Sequence, residues 1–199
     1  AVIKSAIAQG VQMMVIPAVE KNNFAQVIQL AEKLKSVRVL IGRISNLYGP
    51  GQKLNKAQGL LSQLCRSSIL RIPVNIYVPL ETIRDYLFSE DCAELIFRCL
   101  IKIQTSPSSP KVLVKIFASE EPTSINQILT SLQHLTRREP LITFPQQTIS
   151  FQQPKELSFK SKVLVESFSY KPLVEGLHQL LDFQESQLQL GELPYPEAS

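Results

Sequence analysis

The chain has 199 residues, 44% hydrophobic and 19% charged, with thirteen prolines and seven glycines, enough for one domain with a substantial core. No apolar run approaches the roughly 20 residues that span a bilayer, and no charged n-region precedes an apolar stretch, so neither a membrane anchor nor a signal peptide is expected. The net charge of +4 raises nucleic acid as a partner, but the basic residues (Lys33, Lys35, Arg38; Arg137, Arg138; Lys160, Lys162) are dispersed and not interleaved with aromatics, the pattern of a solvated surface.

The first twenty residues show little periodicity, and the chain opens on Ala1-Val-Ile-Lys4 without a methionine, which reads as a fragment or a processed start. From Lys21 to Lys35, Phe24, Val27, Ile28, Ala31 and Leu34 share one helical face. A buried strand is expected at Val37–Ile41, emptying into a loop with Asn46 and a Gly-Pro-Gly turn. In an open α/β sheet the carboxyl end of a strand is where ligands sit.

A helix over 54–68 carries Leu60, Leu61, Leu64 and Cys65. Val74–Val78 and Ile83–Phe88 read as short strands. Ser89 is the expected N-cap of a largely apolar helix reaching about Ile103, with Glu90 and Asp91 in its first turn, where carboxylates suit the helix dipole. Val112–Ala118 is a further strand, a candidate for a parallel sheet. Ser124-Ile-Asn-Gln127 predicts a capping box, and Leu141–Phe144 could be a strand. Residues 146–156 read as loop, Pro172 starts a final helix, and a frayed tail is expected over 187–199.

Strands alternating with helices argue for an α/β layer structure, with only two convincing strands for its parallel sheet. The three cysteines lack metal-ligand spacing and suit a reducing cytoplasm; Cys92 and Cys99, seven apart on one helix, read as small core residues. No metal site is expected, and His134 and His178 have no local partner.

Four segments carry a family resemblance: Arg43-Ile-Ser-Asn-Leu-Tyr-Gly-Pro-Gly-Gln52, Thr82–Asp91 with its Arg84-Asp-Tyr86, Glu121–Ile128, and Tyr170–Leu177 ending in Pro172-Leu-Val-Glu-Gly-Leu177. In order and spacing they resemble the extended short-chain dehydrogenase/reductase family, in particular its NAD-dependent nucleotide-sugar epimerases and dehydratases. The resemblance runs from Lys21 to about Phe183. It implies a partial Rossmann-like parallel sheet with a smaller α+β substrate-binding lobe, residues 1–186 forming the C-terminal portion of such a domain.

That family transfers hydride between a sugar carbon and NAD, with a Tyr-x-x-x-Lys pair as acid and base. Here Lys21 matches the lysine, but Pro17 stands where the tyrosine belongs, and proline has no proton to move. No Gly-x-Gly-x-x-Gly occurs, so the first mononucleotide-binding half is expected before residue 1, and this chain alone is not expected to bind NAD.

On the substrate side the resemblance implies that Asn46 and Arg84 hold the diphosphate of a nucleoside-diphosphate sugar, the guanidinium through paired donors. Tyr48, Gly49 and Pro50 fall at cofactor-side positions of the motif. No arginine follows Arg138, so the family's second diphosphate arginine is absent, and Val78 and Leu80 replace its usual glycines.

Plainer readings stay open beside these. Asn46 also fits a turn, Arg84 a surface pair with Asp85, Glu81 or Asp91, Lys21 an exposed helix start, and Tyr48 and Tyr86 packing. The expected function is the substrate-binding portion of an NAD-dependent nucleotide-sugar epimerase or dehydratase, inactive as this chain alone. The alternatives are a non-catalytic sugar-nucleotide-binding or dimerisation module, with the apolar helix 91–103 as a homodimer contact, or a relative of sugar-nucleotide reductases.

Overall fold

A computed structural model describes residues 38–54, 59–106, 108–145, 154–164 and 167–194, together with Ala25, Gln26, Gln29 and Lys33, which are helical. Pro17 and Lys21 lie outside the described residues, as do residues 146–153 of the expected loop. Contacts divide the chain into two units, residues 1–39 with 110–113, and residues 40–109 with 114–199. In the first, the Val39 N–H donates to the Lys111 carbonyl at 2.8 Å. The larger second unit carries the motifs.

Seven strands and four helices are described: β1 Val39–Ile44, β2 Asn46–Tyr48, α1 Leu60–Leu70, β3 Val74–Asn75, β4 Ile83–Phe88, α2 Ser89–Thr105, β5 Val112–Phe117, β6 Pro122–Ser124, α3 Ile125–Thr136, β7 Ile142–Thr143 and α4 Leu173–Gln189. They form three small sheets, β1 with β5, β2-β4-β6, and β3 with β7. β2 runs parallel to β4, β6 antiparallel to it, and β3 parallel to β7. This is a mixed α/β fold with parallel pairs, of the partial Rossmann-like kind.

The alternation of β4 sets the layers, because successive side chains of a strand point to opposite faces. Tyr86 and Phe88 pack into the larger core with Tyr48, Leu61 and Leu64 of α1, Ile125, Ile128 and Leu132 of α3, and Leu177 and Leu180 of α4. Leu87 faces a second cluster with Cys92, Leu95 and Cys99 of α2 and Phe117 of β5. The cysteines are all free and buried. Burying such a leucine or phenylalanine contributes about 1.5–3 kcal/mol. The outer face of α2 leaves Phe97 and Ile101 exposed.

Several boundaries differ from expectation. Asn46 lies in strand β2, hydrogen-bonded beside β4, and not in a loop. The strand expected at Val74–Val78 is two residues long, matched to a two-residue partner. Ser89 is the first residue of α2, with Phe88 at the N-cap and no side-chain cap bond. The Ser89 hydroxyl is turned onto Gly49, where φ is 151° and any Cβ would strike it. The capping box forms: Ser124 Oγ accepts from the Gln127 N–H at 3.2 Å and Gln127 Oε1 from the Ser124 N–H at 2.8 Å.

At the C-terminal end, α4 continues to Gln189. The Glu192 and Leu193 N–H groups then close back onto the Gln187 carbonyl at 2.8 and 3.1 Å, and Leu193 is buried. Residues 195–199 lie outside the described residues.

A close approach in the core joins two of the motifs. Tyr48, 4% exposed, meets the Phe88 ring edge-on at 5.4 Å and 70°. Its other side rests on Gly176 of α4. A Cβ at Gly176 would meet the Tyr48 hydroxyl and lie 2.9 and 3.0 Å from ring atoms Cζ and Cε2. In an unconstrained helix interior glycine-to-alanine stabilises by about 1 kcal/mol. Here Gly176→Ala is expected to destabilise by about 1–3 kcal/mol through overpacking, read as a lower urea midpoint; a midpoint at or above that of the parent chain would refute the contact.

Candidate functional site

The register of β2 against β4 places the candidate residues Asn46 and Arg84. Asn46 lies opposite Tyr86, and Tyr48 opposite Phe88. Arg84, two residues before Tyr86, therefore shares a face with Asn46, while Asp85 projects the other way. The structure thus brings Asn46 and Arg84 together on one side of a parallel pair. Asn46 is exposed, and its Nδ2 donates to the Asp85 carbonyl at 2.9 Å, a cross-strand bond that fixes the carboxamide.

Arg84 is half-buried and held by main chain. Its Nη1 donates to the carbonyl of Ile83 at 2.8 Å and of Pro154 at 3.0 Å, with Lys155 further off at 3.4 Å. The segment that supplies these carbonyls is itself bound to β4, because Ile83 N donates to the Lys155 carbonyl at 2.9 Å and Leu157 N to the Ile83 carbonyl at 3.0 Å. A guanidinium fixed this way is preorganised, so less side-chain entropy is lost when it meets an anion.

Two of the carboxylates weighed as surface partners for Arg84 have other work. Asp85 is fully buried. Its Oδ1 accepts from the Ser119 N–H at 2.9 Å, and its Oδ2 from Ser119 Oγ at 3.1 Å and the Glu120 N–H at 2.9 Å. Those three donors answer the desolvated carboxylate and hold the β5–β6 connection, where Glu120 adopts φ 64°. Asp91 accepts from the Lys171 N–H at 2.8 Å, anchoring the approach to α4. Lys171 also sits 4.3 Å from the Phe88 ring centroid and pairs with Glu90 at 3.1 Å.

Asp85 was not foreseen as this hub. The signal was present in β4, where a carboxylate sits on the same side as Ile83 and Leu87.

The residues at cofactor-side positions are placed as follows. Tyr48 is buried and packs between Phe88 and Gly176; burial, with lesser contributions from Asp91 and Cys65, pushes its phenol well above the usual range. Gly49 is buried against Ser89, and Pro50 is half-buried. What these positions show is packing. Among the described residues no group of three or more His, Cys, Asp or Glu could hold a metal, and no helix is long and apolar enough to cross a membrane.

The fold defines the class: a Rossmann-like α/β chain. Residues 18–114 match the sequence model of the NAD dependent epimerase/dehydratase family. That segment belongs to this family. No curated protein matches the chain.

Solved structures with the same fold include a UDP-glucuronic acid 4-epimerase mutant from Bacillus cereus in complex with a UDP-4-deoxy-4-fluoro-glucuronic acid and NAD (20% identity, 89% of this chain and 55% of that one, TM-score 0.66). A second is UDP-glucose 4-epimerase from Thermotoga maritima with UDP-glucose (18% identity, 84% and 52%, TM-score 0.64). A third is UDP-glucose 4-epimerase from Thermus thermophilus in complex with NAD (17% identity, 82% and 51%, TM-score 0.63). The chain thus spans about half the length of the structures it matches.

Removing the Asp85 carboxylate strands the Ser119 and Glu120 N–H groups. Asp85→Ala is expected to cost about 2–4 kcal/mol, measured by chemical unfolding, and a loss below that of an exposed-carboxylate control would refute the hub. Tyr86 gives a pH prediction. Burial raises its pKa from 10.0 to about 12, partly opposed by Arg84. The fold favours the neutral phenol, so this contribution is whole below pH 10.0 and is lost as pH rises towards about 12. Tyr86→Phe is expected to remove that loss; unchanged alkaline unfolding in the variant would count against it.

Proposed function

We propose that this chain is the nucleotide-sugar-binding portion of an NAD-dependent epimerase/dehydratase-like protein, and that these 199 residues alone bind the sugar nucleotide without holding NAD or turning it over. The observation that carries the reading is the shared face of Asn46 and Arg84, with both side chains tied to main-chain carbonyls before any ligand arrives. A fixed carboxamide and a fixed guanidinium suit a diphosphate, whose oxygens accept from both.

The NAD half of the chemistry is assigned elsewhere. In relatives NAD accepts and returns the hydride. Here Tyr48 and Gly49 are committed to packing, the glycine-rich fingerprint is lacking, and Pro17 stands in the acid/base tyrosine's place. Lys21 is the remaining half of the proton-transfer pair.

Two other readings rest on less. A non-catalytic binding or dimerisation module draws on the exposed Phe97 and Ile101 of α2 as a homodimer contact. A sugar-nucleotide reductase relative would use the same diphosphate grip. A cytoplasmic setting accords with three free thiols.

Calorimetric titration of the chain with UDP-glucose and, separately, with NAD tests the proposal. Saturable binding of UDP-glucose is expected, weakened about tenfold or more by Arg84→Ala and incompletely restored by lysine at that position, since charge-assisted bonds contribute about 1.5–3 kcal/mol. Tight one-to-one binding of NAD would overturn the inactive reading. Absence of any UDP-glucose binding would overturn the substrate assignment.

A further inference from the structure

The diphosphate of a nucleotide sugar carries one negative charge on each phosphoryl group, whereas Asn46 and Arg84 together supply a single positive charge. A second cation on the same face would balance the ligand. Strand alternation shows where one lies.

Residues 154–157 run alongside β4 in the same direction. Ile83 forms a parallel bridge with Glu156, its N–H donating to the Lys155 carbonyl at 2.9 Å and its carbonyl accepting from the Leu157 N–H at 3.0 Å. Bridge partners project to one face of the pair and their chain neighbours to the other. Glu156 therefore projects with Ile83 and Asp85, and Lys155 projects with Arg84. The guanidinium reaches the same stretch of chain, with Nη1 donating to the Pro154 carbonyl at 3.0 Å and lying 3.4 Å from that of Lys155.

Charge is thus sorted between the two faces. In β4 and the 154–157 segment both cations, Arg84 and Lys155, take the face of Asn46, and both carboxylates, Asp85 and Glu156, take the other. β2 (Asn-Leu-Tyr) and β6 (Pro-Thr-Ser) add no charge to either. Like charges on neighbouring strands repel, so this arrangement is unfavourable until an anion joins them. Lys155 is exposed, and no carboxylate among the described residues pairs with it.

We propose that Lys155 is a further binding residue of this site, its ammonium meeting the phosphoryl group next to the one held by Arg84. The site then favours ligands with two linked phosphoryl groups over ligands with one. This inference rests on the nucleotide-sugar reading above. The two cations differ in what they offer. Arg84, tied to main chain, presents a planar fork, while Lys155 brings a compact charge on a flexible stem that follows the nearest oxygen. Because that ammonium acts through water, salt screens its contribution.

The test is calorimetric titration of the full chain with UDP-glucose and with the methyl ester of UMP, which carries a single phosphodiester charge. Lys155→Gln is expected to weaken UDP-glucose binding about three- to tenfold at low ionic strength and by less than about twofold at several hundred millimolar salt. Lys155→Arg should retain the parent affinity. The methyl ester should lose less than about twofold in Lys155→Gln, since Arg84 meets its one phosphate. Glu156→Gln, next in the chain but on the other face, is the control and should leave both affinities nearly unchanged.

Parent-like binding of UDP-glucose by Lys155→Gln, alongside a clear loss in Arg84→Ala, would overturn this inference and leave the nucleotide-sugar reading standing. Equal losses for the two ligands, or the same loss in Glu156→Gln, would also overturn it. A parent chain that binds no UDP-glucose would remove the reading and the inference together.

Discussion

Tyr48 resting on Gly176 is the contact from which the larger core is organised. Three separate elements are fixed by it: β2, which carries the tyrosine; the end of β4, whose Phe88 meets the ring edge-on; and α4, which approaches because glycine presents no side chain there. Dense interiors transmit such constraints, because a methyl group has nowhere to go without moving a whole element. The Lys171 N–H bonded to Asp91 and the Lys171 ammonium over the Phe88 ring fix the same helix from its start. Two sequence motifs more than a hundred residues apart are thus two halves of one packing event.

The site depends on that event through strand alternation. Once Tyr48 and Phe88 are drawn into the core, the register sends Asn46, Tyr86 and Arg84 to the same face of the pair and Asp85 to the other. The division is electrostatic as well as geometric. The carboxylate is taken into the interior and answered by three donors. The guanidinium stays half-buried, held by carbonyls of a following segment. An arginine beside an unsatisfied aspartate would form a closed pair. The one-residue offset sends the two charged side chains to opposite faces of the strand.

The same physics accounts for a small cavity between the 51–54 loop, α4 and the turn at 192–194. α4 is apolar where it meets the core and carboxamide-bearing where it leaves it. Gln184 falls at the change, tied by one hydrogen bond to α1. Polar groups placed at such margins fix helix registry.

The amino-acid sequence alone determined what depends on near neighbours and composition. The strand Ile83–Phe88 shows in its side-chain types, the capping box at Ser124 in a four-residue pattern, and the apolar faces of α3 and α4 in their helical spacing. The ordered run of motifs carried the family. The tertiary structure decided everything that depends on which atoms meet. Asn46 is a strand residue because β4 pairs with it, Tyr48 is a core wedge because Gly176 lets it be, and Ser89 faces Gly49 and caps nothing. Asp85 and Gln184 read in sequence as ordinary polar residues, and only burial made one a hub and the other an unanswered acceptor. Local spacing fixes the face from which a side chain projects; what stands opposite, and whether water reaches it, is set by residues distant in the chain.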